Sequence, residues 1–241
     1  METPDPTPES LQGIKGADLG ERYLAVTTTP GNKTQLFRGG AIRHKGEAFQ
    51  RVRSRLQSQG TGGAKGRLHQ LSLRERRFKA DVNYRIAQSV VKPGFLIGWE
   101  DLIGIRERTT GRDKRNRRRR AKWALAERGA YIAYKAQVAG GLAIRVATDY
   151  TSKGCPHCGH VSDKNRPGKG LTFRCEKCGL TLHADLVGGR NVTLRTLFIR
   201  QDWMGAGLLS TAPDGSEAEA KAKRLQRFLE LRWSPDPSPG L

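Results

Sequence analysis

The sequence is short of apolar side chains, which fill 36% of its 241 positions, and of aromatics, at 7%. Adding the 29 glycines brings the apolar-plus-glycine share to about half, which is ordinary for a globular domain and excludes wholesale disorder. No run approaches the ~20 apolar residues that cross a bilayer. The first ten residues, METPDPTPES, are acidic and proline-rich where a secretory signal would be basic and then apolar. No internal repeat is visible. The length allows one large domain, or one domain with a small module.

Acidic residues are also scarce, with 23 Asp+Glu against 44 Lys+Arg, a net charge of +21. Residues 201–241 carry a net −1, so the excess sits in the first two hundred residues. Such a field suits a polyanion. Its densest stretch holds Arg112, Lys114, Arg115, Arg117, Arg118, Arg119, Arg120 and Lys122, with a single acid among them. A run of this kind is either a solvated loop or a phosphate contact. The basic body around it favours phosphate, and hence nucleic-acid binding.

The prolines of residues 1–13 mark a disordered leader without a core of its own. Residues 22–29, RYLAVTTT, suit a strand, which Pro30-Gly31-Asn32 turns into a second strand around 34–37; a third near Ala41-Ile42 is weaker. Helices are expected over 47–59 and, after the glycine-rich loop GTGGAKG, over 68–91, where Phe78, Val82, Ile86 and Val90 recur every four residues. FLIGW at 95–99 reads as a buried strand that Glu100 and Asp101 close. A helix over 120–138 and a strand over 142–147 follow, which together describe an α/β layer fold with helices on a mixed sheet. Glu217 to Leu231 suits a helix packed on the body, and the ending SPDPSPGL suits disorder.

Cys155, Cys158, Cys175 and Cys178 are the chain's four cysteines. Their C-x2-C-x16-C-x2-C spacing fits a zinc ribbon, with four thiolates closing a structural Zn²⁺ site. Two disulfides or free thiols are the alternative, disfavoured in a cytosolic chain. His157, His160 and His183 lie nearby and are read as surface or supporting residues.

Three acidic segments remain: GADLGERYLAV with Asp18, FLIGWEDL with Glu100, and LHADLVGGRNV with Asp185. Singly, Asp18 suits a turn, Glu100 a helix cap and Asp185 an N-cap. In this order, with Tyr134-Lys135-Ala136, with Tyr150-Thr151-Ser152 before the first cysteine pair, and with the ribbon just before the third acid, the chain from about Ile14 to Thr196 resembles the RuvC-like nuclease domain of the TnpB family. These are transposon-encoded RNA-guided endonucleases related to type V CRISPR effectors. The resemblance implies a ribonuclease-H-like (RuvC) mixed sheet flanked by helices with an inserted zinc ribbon, and catalytic acids at Asp18, Glu100 and Asp185. It implies DNA and a guide RNA as partners, no membrane, and a cytoplasmic, nucleoid-associated protein.

Three acids suit two Mg²⁺ ions about 3.5–4 Å apart, which stabilise both the attacking and leaving oxygens of a phosphodiester. Asp18 is the candidate bridge. Asp101 would point to the other face of the strand from Glu100. The implied plan is a nuclease domain over 14–150, a ribbon over 151–182, a return to the nuclease domain over 183–200 and a tail over 201–241.

Two departures carry expectations. Val187-Gly188-Gly189 stands where the family has Asn-Ala-Ala, and helical glycine costs about 1 kcal/mol relative to alanine, so the start of that helix should be weak. The family's recognition domains precede the first acid, and here seventeen residues do, which suggests a truncated form or a second polypeptide supplying them. Two other functions fit less of the pattern: a catalytically inactive nucleic-acid-binding relative, and a zinc-ribbon module that contacts proteins.

Overall fold

The computed structural model describes residues 6–20, 22–100, 122–210, 217–230, 232 and 233. A meander of β1 (Gly13–Asp18), β2 (Tyr23–Thr28) and β3 (Thr34–Arg38) leads to helices α1 (Gly40–Gln59) and α2 (Gly62–Val90). Then come β4 (Phe95–Glu100), α3 (Lys122–Val138), β5 (Leu142–Val146), a ribbon hairpin of β6 (Thr172–Arg174) and β7 (Thr181–His183), α4 (Ala184–Ala206) and α5 (Glu217–Glu230). The five main strands pair in the order β3-β2-β1-β4-β5. β1 is antiparallel to β2 and parallel to β4, and β4 is parallel to β5. This is the expected mixed sheet.

Strand alternation sorts β4 between two cores. Ile97 and Trp99 face α2 and α3 with Ala17, Ile86, Val90, Ile132 and Ala136. Leu96 faces α4 with Ile144, Val146, Val192 and Trp203. A strand buried on both faces is continuously apolar, which is why FLIGW carries no polar alternation. On the α2–α3 side Arg128, 3% exposed, donates through Nε to Asn83 Oδ1 (3.0 Å), and Asn83 Nδ2 donates to Glu127 Oε2 (2.8 Å).

Sequence reading passed over β1, the central strand, because two glycines and a lysine break its apolar pattern. Gly16 and Gly98 pair across β1 and β4 directly under α4. A Cβ on Gly16 would lie 2.3 Å from the Thr193 backbone nitrogen, and one on Gly98 would lie 1.8 Å from Thr196 Oγ1. Gly16 N–H donates to Thr193 Oγ1 (3.1 Å). Strand propensity has been given up for close helix–sheet packing.

Other boundaries move for local reasons. Ala41-Ile42 belongs to α1, which starts seven residues before the expected helix, so there is no strand there. GTGGAKG is not a loop beyond its first two residues: Thr61 caps α2, its hydroxyl accepting from Ala64 N–H (3.2 Å), and the glycines form the first turns. The leader is not free over its described end. Leu11 is buried in the α4-side core, and Arg200 donates to the carbonyls of Pro8 (3.0 Å) and Leu11 (2.7 Å). At the other terminus α5 packs on α4, as expected of the tail. Trp233 is buried against Leu194 and Val161, and its backbone N–H donates to Pro156 O (2.7 Å). The stretch SPDPSPGL and Asp101 lie outside the described residues.

Candidate metal centres

The ribbon is two copies of one knuckle. Cys155 N–H donates to His160 O and Cys175 N–H to Leu180 O, both at 2.9 Å; Gly159 N–H returns to Cys155 O and Gly179 N–H to Cys175 O. Gly159 and Gly179 have φ of 73° and 74°, a left-handed turn that glycine enters without strain. The four sulfur atoms lie within 4.8 Å of one another. Cys155 Sγ is 3.6 Å from Cys178 Sγ, and Cys158 Sγ is 3.5 Å from Cys175 Sγ. A disulfide would bring them to about 2.05 Å. Four thiolates around zinc at about 2.3 Å stand about 3.8 Å apart, so the spacing fits a tetrahedral ion. All four are free.

Burial pushes the Cys155 and Cys158 thiols up. Burial acts on Cys175 too, but the N–H groups of Cys178 and Lys177 and the neighbouring thiols bring it down to about 7. His160 is a supporting residue, its Nε2 lying 2.8 Å from Glu176 Oε1 between the knuckles.

Asp18 ends β1 and Glu100 ends β4, its parallel neighbour. The register pairs Gly16 with Gly98, so Asp18 and Glu100, each two residues on, share the α4 face. α4 begins at Ala184, and His183 caps it by accepting from Asp185 N–H at 3.3 Å. The Glu100 and Asp185 carboxylates are both close enough to Asp18 to act on it electrostatically. Burial first, then the charges of Glu100 and Asp185, hold the Asp18 carboxyl well above the usual carboxylate range, with Arg166 offsetting part. Burial also raises Glu100, against the Thr151 hydroxyl and the charge of Arg195.

Among the described residues only the cysteines gather three or more ligand atoms within 4.8 Å, so the carboxylates form a looser group than the thiolates. Asp185 Oδ2 is buried without a hydrogen-bond partner, as an oxygen kept for a cation would be. An all-oxygen donor set of like charges fits a hard divalent ion such as Mg²⁺.

The glycines after Asp185 have a packing reason. A Cβ on Gly188 would lie 2.4 Å from Asp18 Oδ2, and one on Gly189 would lie 3.2 Å from Val26 Cγ1. Their helical cost is the condition for bringing Asp185 against β1. Val187 is fully buried with Cys155, Phe173 and Cys175, so it joins the ribbon core to the helix that carries the third acid.

Sequence reading gave no role to Thr151 or Asn191. Thr151 Oγ1 donates to Glu100 Oε1 (2.7 Å). Asn191, buried in α4, donates to the carbonyls of Thr151 (2.7 Å) and Gly154 (2.8 Å). The only signal in the sequence was their position inside the segments YTS and GGRNV. Arg112, Lys114, Arg115, Arg117, Arg118, Arg119 and Arg120 lie outside the described residues, and Lys122 is described only as the first residue of α3.

Residues 128–192 match the family model for the Cas12f1-like TNB domain. Over 203 residues the chain is 29% identical to the CRISPR-associated endodeoxyribonuclease Cas12f1 of Sulfoacidibacillus thermotolerans, covering 76% of this chain and 46% of that one. Over 61 residues it is 39% identical to the putative RNA-guided DNA endonuclease InsQ of Escherichia coli strain K12, covering 25% and 15%. The chain therefore spans less than half the length of these curated relatives. A cryo-EM structure of a Cas12f1–sgRNA–target DNA complex shares the fold at a TM-score of 0.59 and 22% identity, covering 80% of this chain and 51% of that one. A CRISPR–Cas12f ternary complex matches at the same TM-score, covering 80% and 40%.

Proposed function

Taking the chain as the TnpB- and Cas12f-like protein that these likenesses make it, we propose that it hydrolyses DNA phosphodiester bonds at a divalent-metal site held by Asp18, Glu100 and Asp185. What supports this reading is that the three acids fall at the same end of the sheet, two on adjacent strand ends and one in the first turn of the helix above, in a looser group than the thiolates. Magnesium bound by them would lower the pKa of an attacking water and stabilise the departing 3′ oxygen.

The surrounding residues position these acids. Thr151 orients the Glu100 carboxylate, Asn191 fixes Thr151 from α4, and Gly188 lets the helix approach Asp18. Arg166 and Arg195 place positive charge beside the cluster. The four cysteines would hold a structural zinc, leaving it no open position for chemistry. Residues 14–150 and 183–200 would then form the nuclease domain, with the ribbon of 151–182 inserted in it. The substrate would be single-stranded DNA or the DNA of an RNA hybrid. Target choice would come from pairing with a guide RNA, held by recognition regions of this polypeptide or of another. Such work belongs to the cytoplasm and its DNA. No described helix is long and apolar enough to cross a membrane.

The test is Mg²⁺-dependent cleavage by Asp18→Ala beside the wild type. The variant is expected to bind DNA within about twofold of wild type and not to cut. Cutting at the wild-type rate would overturn the assignment. If the wild type binds without cutting across metals and substrates, the chain is a non-enzymatic nucleic-acid-binding relative. If it has no salt-sensitive affinity for DNA or RNA, the ribbon's role is protein contact.

A further inference from the structure

The helices α1 and α2 form a hairpin between β3 and β4, and only its base is packed on the sheet. The residues of α2 in the main core are Ile86, Ala87 and Val90, all in its last two turns. Before Val82 the two helices meet chiefly each other. Phe49 and Phe78 pack at 6.0 Å, Arg53 pairs with Glu75, and Leu56 and Ala64 are the buried apolar residues near the tip. Residues 62–81 of α2 thus make an arm about 30 Å long.

This arm carries a large part of the chain's charge. Residues 40–90 contain twelve Lys+Arg and three Asp+Glu, a net of +9 out of +21. Arg53 and Lys79 share Glu75, and Arg85 pairs with Asp81. The exposed cations Arg43, Arg51, Arg55, Arg67, Arg74 and Arg77 have no ion pair among the described residues. Charge of one sign at this density repels itself, and a polyanion along the arm removes the repulsion.

We infer that the α1–α2 hairpin is a docking arm for double-helical nucleic acid, which it holds by the phosphates. Two observations favour a duplex over a single strand. Single-strand binders present aromatic platforms on which bases stack. Here Phe49 and Phe78 are turned into the hairpin, while Tyr84, 44% exposed, lies at the base beyond the arm, with Lys135 over its face (3.7 Å from the ring centroid) and Tyr131 packed edge-on against it. The arm also matches one duplex turn of about 34 Å in length, so cations spaced along it can follow one backbone. The surface is separate from the carboxylates. Its test reads binding, and failure there leaves the proposed cleavage chemistry standing.

The experiment uses the full chain and three probes: a 20-base-pair DNA duplex, the RNA–DNA hybrid of the same sequence, and the single DNA strand. Fluorescence anisotropy is read from 50 to 200 mM salt. The arm variant is Arg67→Gln/Arg74→Gln/Arg77→Gln. A control of equal charge change is Lys33→Gln/Lys92→Gln/Arg145→Gln. If all three arm residues touch phosphate, the slope of log K against log salt falls by about 2.7 for one or both duplexes, at about 0.9 per contact. The control should move it by less than about 1 on the same scale. Equal losses for the two variants, no loss, or a single-strand loss as large as the duplex loss would overturn the inference. Should the first variant misfold, Arg43→Gln/Arg51→Gln/Arg55→Gln on α1 must give the same duplex-selective loss.

Discussion

Alanine at Gly98 and at Gly16 should destabilise the protein for different reasons, and the difference reads how closely α4 sits on the sheet. At Gly98 the new methyl would lie 1.8 Å from Thr196 Oγ1, with the Thr196 Cβ and Cγ2 at 3.0 and 3.1 Å. Most of that conflict is with the far end of a side chain. At Gly16 it would lie 2.3 Å from the Thr193 nitrogen and 2.6 Å from its Cα, which are backbone and can yield only if the helix moves. Overpacking of this kind costs about 1–3 kcal/mol, and for a chain of this size each kcal/mol lowers Tm by about 2–4 °C. Thr196→Ala deletes the nearest clashing atom, so the pair Gly98→Ala/Thr196→Ala should recover most of the Gly98→Ala loss in urea unfolding. Thr193→Ala leaves the backbone conflict in place and removes the acceptor of Gly16 N–H, so Gly16→Ala/Thr193→Ala should recover nothing. A harmless Gly16→Ala, or equal rescue at both sites, would show that α4 does not lie this near the central strands. The same closeness carries Asp185 to Asp18, so Gly16→Ala should also reduce cleavage more than its loss of stability explains.

Thr151→Val removes the donor to Glu100, a hydrogen bond to a charged group worth about 1.5–3 kcal/mol. The Mg²⁺ concentration for half-maximal cleavage should rise at least about tenfold, Thr151→Ser should restore it, and an unchanged metal titration would remove Thr151 from the site. Folding raises the pKa values of Asp18 and Glu100. Without metal, the stability they contribute is therefore complete below the ordinary carboxylate range and is lost as pH rises through the raised values. Asp18→Asn should accordingly melt higher than wild type at pH 8 without metal and lose the gain that Mg²⁺ gives wild type; thermal scans with and without Mg²⁺ decide it. Cys178→Ser leaves three thiolates. Zinc measured by mass spectrometry should fall, and residues 151–183 should become protease-sensitive while the helix signal of the remainder persists.

What the sequence made legible was set locally. The cysteine pairs announce themselves because both knuckles close within five residues, through Cys155 N–H to His160 O and Cys175 N–H to Leu180 O. FLIGW reads as a buried strand because burial on both faces needs only apolar side chains in succession. Asp18, Glu100 and Asp185 were singled out only by the likeness of their flanking segments to a family, because locally the end of a strand or the start of a helix reads as a turn, a cap or an N-cap. The failures share the opposite cause. β1 was passed over because Gly16 answers to Thr193, 177 residues away, and no local rule weighs that contact. The start of α2 was taken for a loop because glycine there obeys a threonine cap that propensity alone does not count.

Val187 and Gly188 show why the ribbon and the acids belong to one device. Both departed from the expected motif, and judged by helix propensity they weaken it. In the fold they face different partners: Val187 is buried with Cys155, Cys175 and Phe173, while Gly188 lies against Asp18. Asn191, one turn on, holds Thr151, and Thr151 holds Glu100. The first two turns of α4 therefore touch the ribbon core, β1 and the Glu100 support at once. A shift of the ribbon that moved Val187 would move Asp185, two residues before it, on the same rigid turn. Thiolate ligation far from the scissile bond would in this way set the spacing of the carboxylates.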